Sequence, residues 1–309
     1  MASLVDAPQA QELTTGYCEA RSCKPLVRTR SAPAKVNLGL HVLRRRGDGF
    51  HDLATVFVPV GWADRLTAAP AEQITLTTSD PALPTDGSNL VIRAAMALRV
   101  WTGDSARGAV LHLDKRVPYG TGLGGGSSDA AATLRLLAEL WRLDVPEPDL
   151  HRLALELGSD VPFFLDPVPS LGTGRGEQLA PLVGADGRPW RCPFWLVVAV
   201  PDAHVPTAEA YGLVTPDDVD RPDLTAVVTS DDLVCWRAEL TNDFQGPVEA
   251  AYPAVRAARE GLEAAGAGHA LLSGSGASVV GVFEEEAAAR AAATALELTC
   301  RTWVEPPAR

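Results

Sequence analysis

The sequence predicts a fold of mixed α and β structure divided into two domains. Apolar and polar side chains alternate over residues 34–41, and a run rich in Val and Phe follows at residues 51–60, so both segments are predicted strands. Elsewhere in the same half, apolar residues recur at helical spacing. A stretch rich in Gly and Pro at residues 166–193 then precedes a second mixed segment, which predicts a domain boundary there.

The first half is predicted to contain a hairpin, two more strands and three helices. On the first strand Lys35, Asn37 and His41 share one face, and a charged turn leads into the second strand. The other predicted strands are at residues 73–78 and 109–117. The three predicted helices are at 89–101, directly after a glycine cluster that ends at residue 128, and at 149–157. The last helix stops at Gly158, where Asp160 is placed to cap another short helix.

The second half is predicted to alternate strands and helices as well. Its predicted elements are strands at residues 194–201, 279–283 and near the end of the chain, and helices at 247–265 and 284–298. A weakly structured acidic region at 215–232 and a Gly/Ser loop at 273–278 lie between them. We therefore divide the chain into a disordered tail at residues 1–28, an N-terminal domain at 29–180 and a C-terminal domain at 181–309.

Composition excludes several classes of protein. In 309 residues, 39 acidic side chains outnumber 27 basic ones, and the net charge of −12 has the wrong sign for a protein that coats nucleic acid. An anionic ligand would therefore need a local pocket of cations or amides. The most apolar run, residues 194–200, is far shorter than the roughly 18 residues that a membrane span needs. We expect neither a nucleic-acid partner nor a membrane association.

The cysteines and the first residues indicate a reducing compartment. The five cysteines are scattered, without the CxxC spacing of a zinc site or an even number for a disulfide framework. Residues 1–28 contain Asp6, Glu12 and Glu19 and lack the basic-then-apolar layout of a secretory signal. We therefore expect a cytoplasmic protein.

The densest glycine cluster, residues 120–126, directly precedes a predicted helix. Five glycines in seven positions, followed by Ser127 and Ser128, expose backbone N–H groups, allow close approach of a ligand and add the positive end of the helix dipole. This arrangement favours phosphate binding over a plain flexible turn. A Walker A loop is excluded, because Ser127 stands where that motif requires lysine.

The same glycines leave a second interpretation open. Gly120, Gly122 and Gly125 spell the GxGxxG pattern of a dinucleotide-binding loop, which would indicate a dinucleotide-dependent oxidoreductase. Against this interpretation, the preceding predicted strand ends in KRVPY at 115–119 in place of a buried apolar run. The loop also lies about 120 residues into the chain, whereas a dinucleotide-binding loop usually follows the first strand.

Three segments resemble, in order, the motifs of the superfamily named for galactokinase, homoserine kinase, mevalonate kinase and phosphomevalonate kinase (GHMP). They are residues 32–38 (APAKVNL), 118–131 (PYGTGLGGGSSDAA) and 271–278 (LLSGSGAS). Within the superfamily, three features are similar to the family of 4-diphosphocytidyl-2-C-methyl-D-erythritol kinases, namely the turn GDGFH at 47–51, the triple glycine at 124–126 and LGSDVPF at 157–163. The resemblance spans about residues 31–305.

The resemblance implies a fold and an activity. The fold is α+β with two domains, the first like ribosomal protein S5 domain 2 and the second ferredoxin-like, with the active site in the cleft between them. The activity is ATP-dependent phosphorylation of the 2-hydroxyl of a cytidine-diphosphate-linked polyol in non-mevalonate isoprenoid synthesis, with Mg²⁺ as a further cofactor. The magnesium ligands stay open, because Ser127 and Ser128 are equally consistent with a helix N-cap. The oligomeric state is also left open.

Two residues are implied to be catalytic. Phosphoryl transfer requires a group that takes the hydroxyl proton and positive charge near the transferring oxygens. The resemblance implies that Asp160 is the base and that Lys35 contacts the phosphate or keeps the carboxylate ionised, as a nearby cation does. From the residues alone, Asp160 is equally consistent with a helix cap, and a strand lysine is usually solvated.

The resemblance also implies the binding residues. Those for ATP are Pro118, Gly120, Gly122, Leu123, Gly124, Gly125, Gly126, Ser127 and Ser128. For the substrate, Phe50 and Tyr211 would sandwich the cytosine, His51 would read its edge, and Asn37 and Thr207 would bind further polar groups. Such stacking contributes about 1–3 kcal/mol per base in comparable sites. Phe50 keeps a stacking face but lacks the hydroxyl of the family's usual tyrosine.

Alternative interpretations of the charged turn and of the function stay open. The arginines at 44–46 either attract a diphosphate or are simply solvated. A related kinase for mevalonate or homoserine is an alternative, although acyclic acids have no use for an aromatic sandwich. A binding module without activity is the third possibility, which the presence of both Lys35 and Asp160 disfavours.

Overall fold

The computed structural model describes residues 26–308 of the chain, and the first sheet lies within residues 28–181. Its six strands are β1 (Arg28–Arg45), β2 (His51–Ala71), β3 (Ile74–Thr78), β4 (Gly108–Asp114), β5 (Ser170–Thr173) and β6 (Gln178–Pro181). The order is β3-β4-β2-β5-β6, with β1 paired along β2. Strands β3 and β4 are parallel and the other pairs are antiparallel.

Three helices cover one face of this sheet. They are α1 (Leu90–Thr102), α2 (Gly125–Trp141) and α3 (Glu147–Leu157), and a 3-10 turn (Pro162–Leu165) follows. Asn89 begins α1, because its side-chain oxygen accepts a hydrogen bond from the backbone N–H of Val91. Twelve of the 17 residues of α2 are buried, so this helix is covered on most of its sides.

The second sheet lies in the other half of the chain. Its strands are β7 (Trp195–Pro201), β8 (His269–Leu272), β9 (Val279–Phe283) and β10 (Cys300–Glu305), in the antiparallel order β10-β7-β9-β8. The helices of this half are α4 (Thr207–Leu213), α5 (Leu224–Val228), α6 (Leu233–Glu239), α7 (Gln245–Ala251), α8 (Pro253–Ala264) and α9 (Glu286–Leu296). The strand order and the connections through α8 and α9 match a ferredoxin-like unit, which confirms the α+β prediction.

The layers explain why β1 is buried on both faces. One core lies between α1–α3 and the first sheet, and a second lies between β1–β2 and the second sheet with α5 and α6. A third core covers the outer face of the second sheet with the remaining helices of that half. Alternate residues of β7 belong to the second and third cores, as the pleat of a strand requires.

The first strand departs from the predicted pattern at one point. The pairing of β1 with β2 shifts register between Leu38 and Leu40, and Gly39 there has a φ of 82°. Because a shift of one residue reverses the alternation, the prediction that His41 shares a face with Lys35 and Asn37 is wrong. Leu40 takes that place, while His41 is buried away from the cavities described below.

Several boundaries differ from the predictions. The predicted helix at 247–265 is two helices, because Pro253 ends the first at Tyr252, whose backbone leaves the helical region. The acidic region contains α5, and the short strands β5, β6 and β8 were not predicted. Most of the predicted tail lies outside the described residues, and β1 already begins at Arg28. The first sheet ends at Pro181 and the second begins at Trp195, so the predicted domain limits stay a prediction.

None of the helices within residues 26–308 combines the length and the apolar character that a membrane-spanning helix needs.

Candidate active site

The phosphate loop, residues 118–128, lies where the two halves of the molecule meet. Gly120, Gly122 and Gly124 all have positive φ values, of 71°, 83° and 70°. A side-chain carbon at Gly122 would overlap the carbonyl oxygen of Ser273, and one at Gly124 would lie 2.7 Å from the ring of Phe164. Both the backbone conformation and the packing therefore require glycine here. The start of α2 points its free N–H groups into the loop.

Lys35 is buried beside this loop. Its Nζ donates to Asn37 Oδ1 at 2.6 Å and to the carbonyl oxygen of Gly122 at 2.8 Å, and its side chain is only 4% exposed. Burial lowers the pKa of the Lys35 ammonium, and the charge of Asp160 partly opposes this shift. The alternative of a solvated surface lysine is therefore wrong.

Asp160, in the short segment between α3 and the 3-10 turn, lies close to Lys35. Its Oδ2 lies 3.8 Å from Lys35 Nζ, although 125 positions separate the two residues in the sequence numbering. The 3-10 turn that follows begins at Val161 without a side-chain cap, so the helix-cap alternative for Asp160 is wrong. About a third of the side chain is exposed, at 35%, which leaves the carboxylate open to a ligand.

Asn37 completes the buried end of the site. Its Oδ1 accepts from Lys35, its Nδ2 donates to Thr55 Oγ1 at 2.8 Å, and its backbone N–H donates to Ser273 Oγ at 3.1 Å. One N–H of the amide has no protein partner among these contacts and remains free to donate to a ligand. The amide thus orients the Lys35 ammonium and faces the cavity at the same time.

Two adjoining cavities surround this pair of charges. The phosphate-loop cavity has a volume of about 300 Å³ and is lined by Lys35, Asn37 and residues 118–127. The aromatic cavity has a volume of about 880 Å³ and is lined by Phe50, His51 and Arg45. Four residues line both cavities, namely Asp160, Arg175, Thr207 and Tyr211. Asp160 therefore lies at the junction between them.

Aromatic rings form one wall of the aromatic cavity. The ring of His51 stacks on that of Tyr211, with centroids 4.7 Å apart and planes 16° apart, and Tyr211 meets Phe244 edge-on at 4.9 Å. Phe50 is 51% exposed. Burial, followed by the charge of Asp160, raises the pKa of Tyr211 to about 12, so its hydroxyl stays protonated at neutral pH.

The predicted site residues thus gather at one cleft. Of the nine predicted ATP-binding residues, all but Ser128 line the phosphate-loop cavity. Ser128 is buried, and its hydroxyl has no hydrogen-bond partner within residues 26–308. Thr207 begins α4, directly after Pro206. His51 lies against a face of Tyr211, so one side of the predicted aromatic sandwich is already occupied by a protein ring.

Arg175 is a site residue for which the sequence supplied no role. Its guanidinium lies over the ring of Phe50, 4.7 Å from the centroid, and it lines both cavities. The loop that carries it packs against the site, because a carbon added at Gly176 would lie 3.8 Å from Asp160. The only sign of this residue in the sequence was the segment GRGE at 174–177, whose residue types do not by themselves indicate a catalytic or binding role. By contrast, Arg44 and Arg46 form ion pairs with Asp52.

A buried ion cluster under the phosphate loop was also missed. Lys115 Nζ lies 2.5 Å from Asp64 Oδ2 and 2.8 Å from Asp129 Oδ2, and all three side chains are at most 4% exposed. Asp64 Oδ1 also accepts from the backbone N–H groups of Arg116 and Val117. Burial raises the pKa of Asp129 to about 7, although Lys115 opposes the shift. The cluster ties β2, β4 and α2 together directly behind the loop.

Family models match both halves of the chain. The model described as GHMP kinases N terminal domain matches residues 89–166, and the model described as GHMP kinases C terminal matches residues 225–301. With the two sheets and the phosphate loop between them, these matches define a GHMP-type kinase. The predicted two-domain fold of that class is therefore confirmed, and the dinucleotide-dependent alternative is not favoured.

Relatives that match nearly the whole chain show which family of GHMP kinases it belongs to. A 4-diphosphocytidyl-2-C-methyl-D-erythritol kinase of Salinibacter ruber is 55% identical over 269 residues, which cover 87% of this chain and 94% of that protein. The chain therefore belongs to the 4-diphosphocytidyl-2-C-methyl-D-erythritol kinase family. A crystal structure of 4-(cytidine 5'-diphospho)-2C-methyl-D-erythritol kinase agrees, with 38% identity, a TM-score of 0.76 and coverage of 91% of this chain and 100% of that one.

A more distant structure shows how far the fold alone extends. The homoserine kinase from Cytophaga hutchinsonii is 17% identical, with a TM-score of 0.68 and coverage of 93% of this chain and 96% of that one. At this identity the likeness shows the shared fold and nothing about the acceptor. The choice between acceptors therefore depends on the aromatic cavity.

Proposed function

We propose that this protein transfers the γ-phosphoryl group of ATP to the 2-hydroxyl of 4-diphosphocytidyl-2-C-methyl-D-erythritol. The observation that carries the proposal is the position of Asp160 and Lys35, 3.8 Å apart at the junction of a glycine-lined cavity and an aromatic one. The membership of the chain in this kinase family supports the same acceptor. One cavity then holds the donor and the other holds the acceptor, with the charged pair between them.

The chemistry assigns one role to each member of the pair. Asp160 accepts the proton of the 2-hydroxyl while the oxygen of that hydroxyl attacks the γ-phosphorus of ATP. The bond from the γ-phosphorus to the β–γ bridging oxygen breaks, which releases ADP. Lys35 offsets the negative charge on the transferring oxygens and keeps Asp160 ionised. The hydrogen bonds to Asn37 and Gly122 hold the ammonium in place before the phosphate arrives.

The phosphate loop is proposed to bind the ATP phosphates. Its glycines leave no side chain between the backbone N–H groups and a ligand, and the start of α2 adds the positive end of a helix dipole. These uncharged donors explain how a chain with a net charge of −12 binds a polyanion.

Mg²⁺ is proposed to accompany ATP. Such an ion is held mostly by the substrate phosphates and needs only one or two protein ligands. Ser127, at the start of α2, lines the phosphate-loop cavity and is placed to supply one such ligand, whereas the buried Ser128 lies outside the lining of that cavity. Within residues 26–308, no group of three His, Cys, Asp or Glu side chains is arranged to hold a metal by itself. When bound, the ion would neutralise part of the phosphate charge.

The aromatic cavity is proposed to hold the cytidine diphosphate part of the acceptor. Phe50 and the stacked pair of His51 and Tyr211 offer flat faces for the base, and His51 offers ring nitrogens to its edge. Arg175 and Arg45 line the same cavity and would meet the diphosphate. We place this reaction of two small molecules in the cytoplasm, following the scattered cysteines of the sequence.

An ADP-release assay tests the proposal. The protein is supplied with ATP, Mg²⁺ and one of three acceptors, which are the cytidylylated methylerythritol, mevalonate and homoserine. We expect release of ADP with the cytidylylated acceptor alone, because only it carries a base for the aromatic cavity. Equal or faster turnover of mevalonate or homoserine would contradict the proposed identity of the acceptor. No ADP release with any of the three acceptors would contradict the proposed kinase activity.

A further inference from the structure

The segment 241–243 of the C-terminal half pairs directly with the strand that carries Lys35. The backbone N–H of Leu40 donates to the carbonyl oxygen of Thr241 at 2.9 Å, and the N–H of Asp243 donates to the carbonyl oxygen of Leu40 at 2.9 Å. Asp243 also accepts from the backbone N–H of Val42, through Oδ2 at 2.7 Å. The segment is therefore fixed relative to β1 three residues beyond Asn37.

The side chain of Asn242 links this segment to the glycine loop, residues 273–278. Its Nδ2 donates to the carbonyl oxygens of Leu272 and Gly274, both at 2.8 Å, and its Oδ1 accepts from the backbone N–H of Phe244 at 2.9 Å. The residue is only 5% exposed. Both N–H groups and the oxygen of the amide are thus used: one N–H holds Gly274 of the glycine loop, and the other holds Leu272, the last residue of β8 before that loop.

The glycine loop in turn contacts the reacting end of the site. A carbon added at Gly274 would lie 3.5 Å from Lys35 Nζ and 3.3 Å from the carbonyl oxygen of Gly122. Ser273 Oγ accepts from the backbone N–H of Asn37, and the N–H of Ser278 donates to the carbonyl oxygen of Thr121. The loop therefore fills the space between β1 and the phosphate loop.

We propose that Asn242 is a positioning residue for phosphoryl transfer, an inference that rests on the proposed function. Asn242 contacts none of the cavities and acts through the glycine loop, whose distance from Lys35 and Gly122 it sets by holding the carbonyl groups of Leu272 and Gly274. Removing its two donors frees the loop and lets the phosphate loop and Lys35 shift relative to each other. Misplacement by about 1 Å reduces turnover by up to about 100-fold.

The test replaces Asn242 in the full chain. Asn242→Asp keeps the shape but presents an oxygen in place of the two donors to two carbonyl oxygens, which repel it. We expect kcat to fall by about 10- to 100-fold and the KM for ATP to rise at least about 5-fold, with the KM for the cytidylylated acceptor within about 2-fold of wild type. Amide hydrogen exchange of residues 272–278 should become faster, which is measured without any turnover.

Matched variants separate positioning from stability. Glu249→Gln weakens a buried ion pair with Arg259 in the same half of the chain, away from both cavities, and should lower Tm while leaving kcat and both KM values unchanged. Asn242→Ser, which keeps a shorter donor, should give an intermediate kcat. The proposal is overturned if Asn242→Asp keeps the wild-type kcat and the wild-type KM for ATP, or if amide exchange of residues 272–278 is unchanged. It is also overturned if neither Asn242→Asp nor Asn242→Ser folds, because the role of Asn242 is then structural. A wild-type protein that releases no ADP contradicts the proposed function instead, and the exchange result still stands.

Discussion

The two ends of the site are built differently. At the phosphate-loop end, Lys35 and Asn37 are almost fully buried and hydrogen-bonded, and Gly122 and Gly124 are packed too closely to accept a side chain. At the aromatic end, Phe50 is half exposed, and the cavity has nearly three times the volume, 880 Å³ against 300 Å³. Lys35 and Asn37 are thus enclosed and hydrogen-bonded, whereas Phe50 at the aromatic end is open to solvent.

This difference indicates a division of roles. A buried ammonium held by two hydrogen bonds is already in position before the reaction, which is what electrostatic stabilisation of a transition state requires. Exposed rings need less order, because a flat base can stack on them over a range of positions. Changes at the phosphate-loop end should therefore reduce kcat, and changes at the aromatic end should raise the KM for the acceptor.

The largest effect is expected at the junction of the cavities. Asp160→Asn removes the proton acceptor and keeps the shape, so kcat should fall by about 10²- to 10⁴-fold while the Kd for ATP changes little. Steady-state kinetics with calorimetric titration of ATP measure both quantities. The control is Asp166→Asn, the same change at an exposed position outside both cavities, which should leave kcat unchanged. Full activity of Asp160→Asn would remove the proposed base.

The glycine packing should give the next largest effect. Gly122→Ala adds a carbon that overlaps the carbonyl oxygen of Ser273, and it strains a φ of 83°, so kcat/KM for ATP should fall at least about 10-fold. Gly187→Ala is the matched control, because Gly187 also has a positive φ, of 77°, but no atom within 4 Å of the added carbon. If both variants lose activity equally, backbone strain and not close packing explains the loss.

A smaller effect, confined to the acceptor, is expected at the aromatic end. Phe50→Ala and Tyr211→Ala each remove a stacking face worth about 1–3 kcal/mol, so the KM for the cytidylylated acceptor should rise about 5- to 150-fold. The KM for ATP in the same variants is the internal control and should stay near the wild-type value. Equal increases in both KM values would contradict the division between the two ends.

The smallest effect is on stability and its pH dependence. The raised pKa of Asp129 means that the folded protein holds a proton that the unfolded chain releases, so the free energy of unfolding should fall as the pH rises from about 4 to about 7. Asp129→Asn removes that proton site, so the free energy of unfolding of the wild type relative to this variant should fall over this range, measured by urea unfolding at a series of pH values. An unchanged slope would mean that Asp129 is ionised throughout this range.

Sequence analysis predicted the phosphate-loop end better than the aromatic end. Glycines before a helix and alternating residues on a strand are local patterns, and they predicted the strand that carries Lys35, the glycine loop at 120–126 and the helix α2. The resemblance to a family associated Asp160 with Lys35, which no local pattern could do, because the two side chains meet only when the segment after α3 folds next to β1.

The features that were missed depend on contacts between distant segments. The stacking of His51 on Tyr211 and the position of Arg175 over Phe50 each join segments from different parts of the chain. Strands of four residues, such as β5, are too short for a periodic signal. The break at Pro253 was different, since the rule for the residue before proline already predicts it.

Simultaneous binding of both ligands tests the division of the cleft most directly. Calorimetry would measure the Kd of the cytidylylated acceptor with and without a saturating ATP analogue whose β–γ bridge cannot be cleaved. Two adjoining cavities predict one molecule of each ligand per chain and an acceptor Kd that changes by less than about 3-fold. Displacement of the analogue by the acceptor would show that the two compete for one cavity, which contradicts the account.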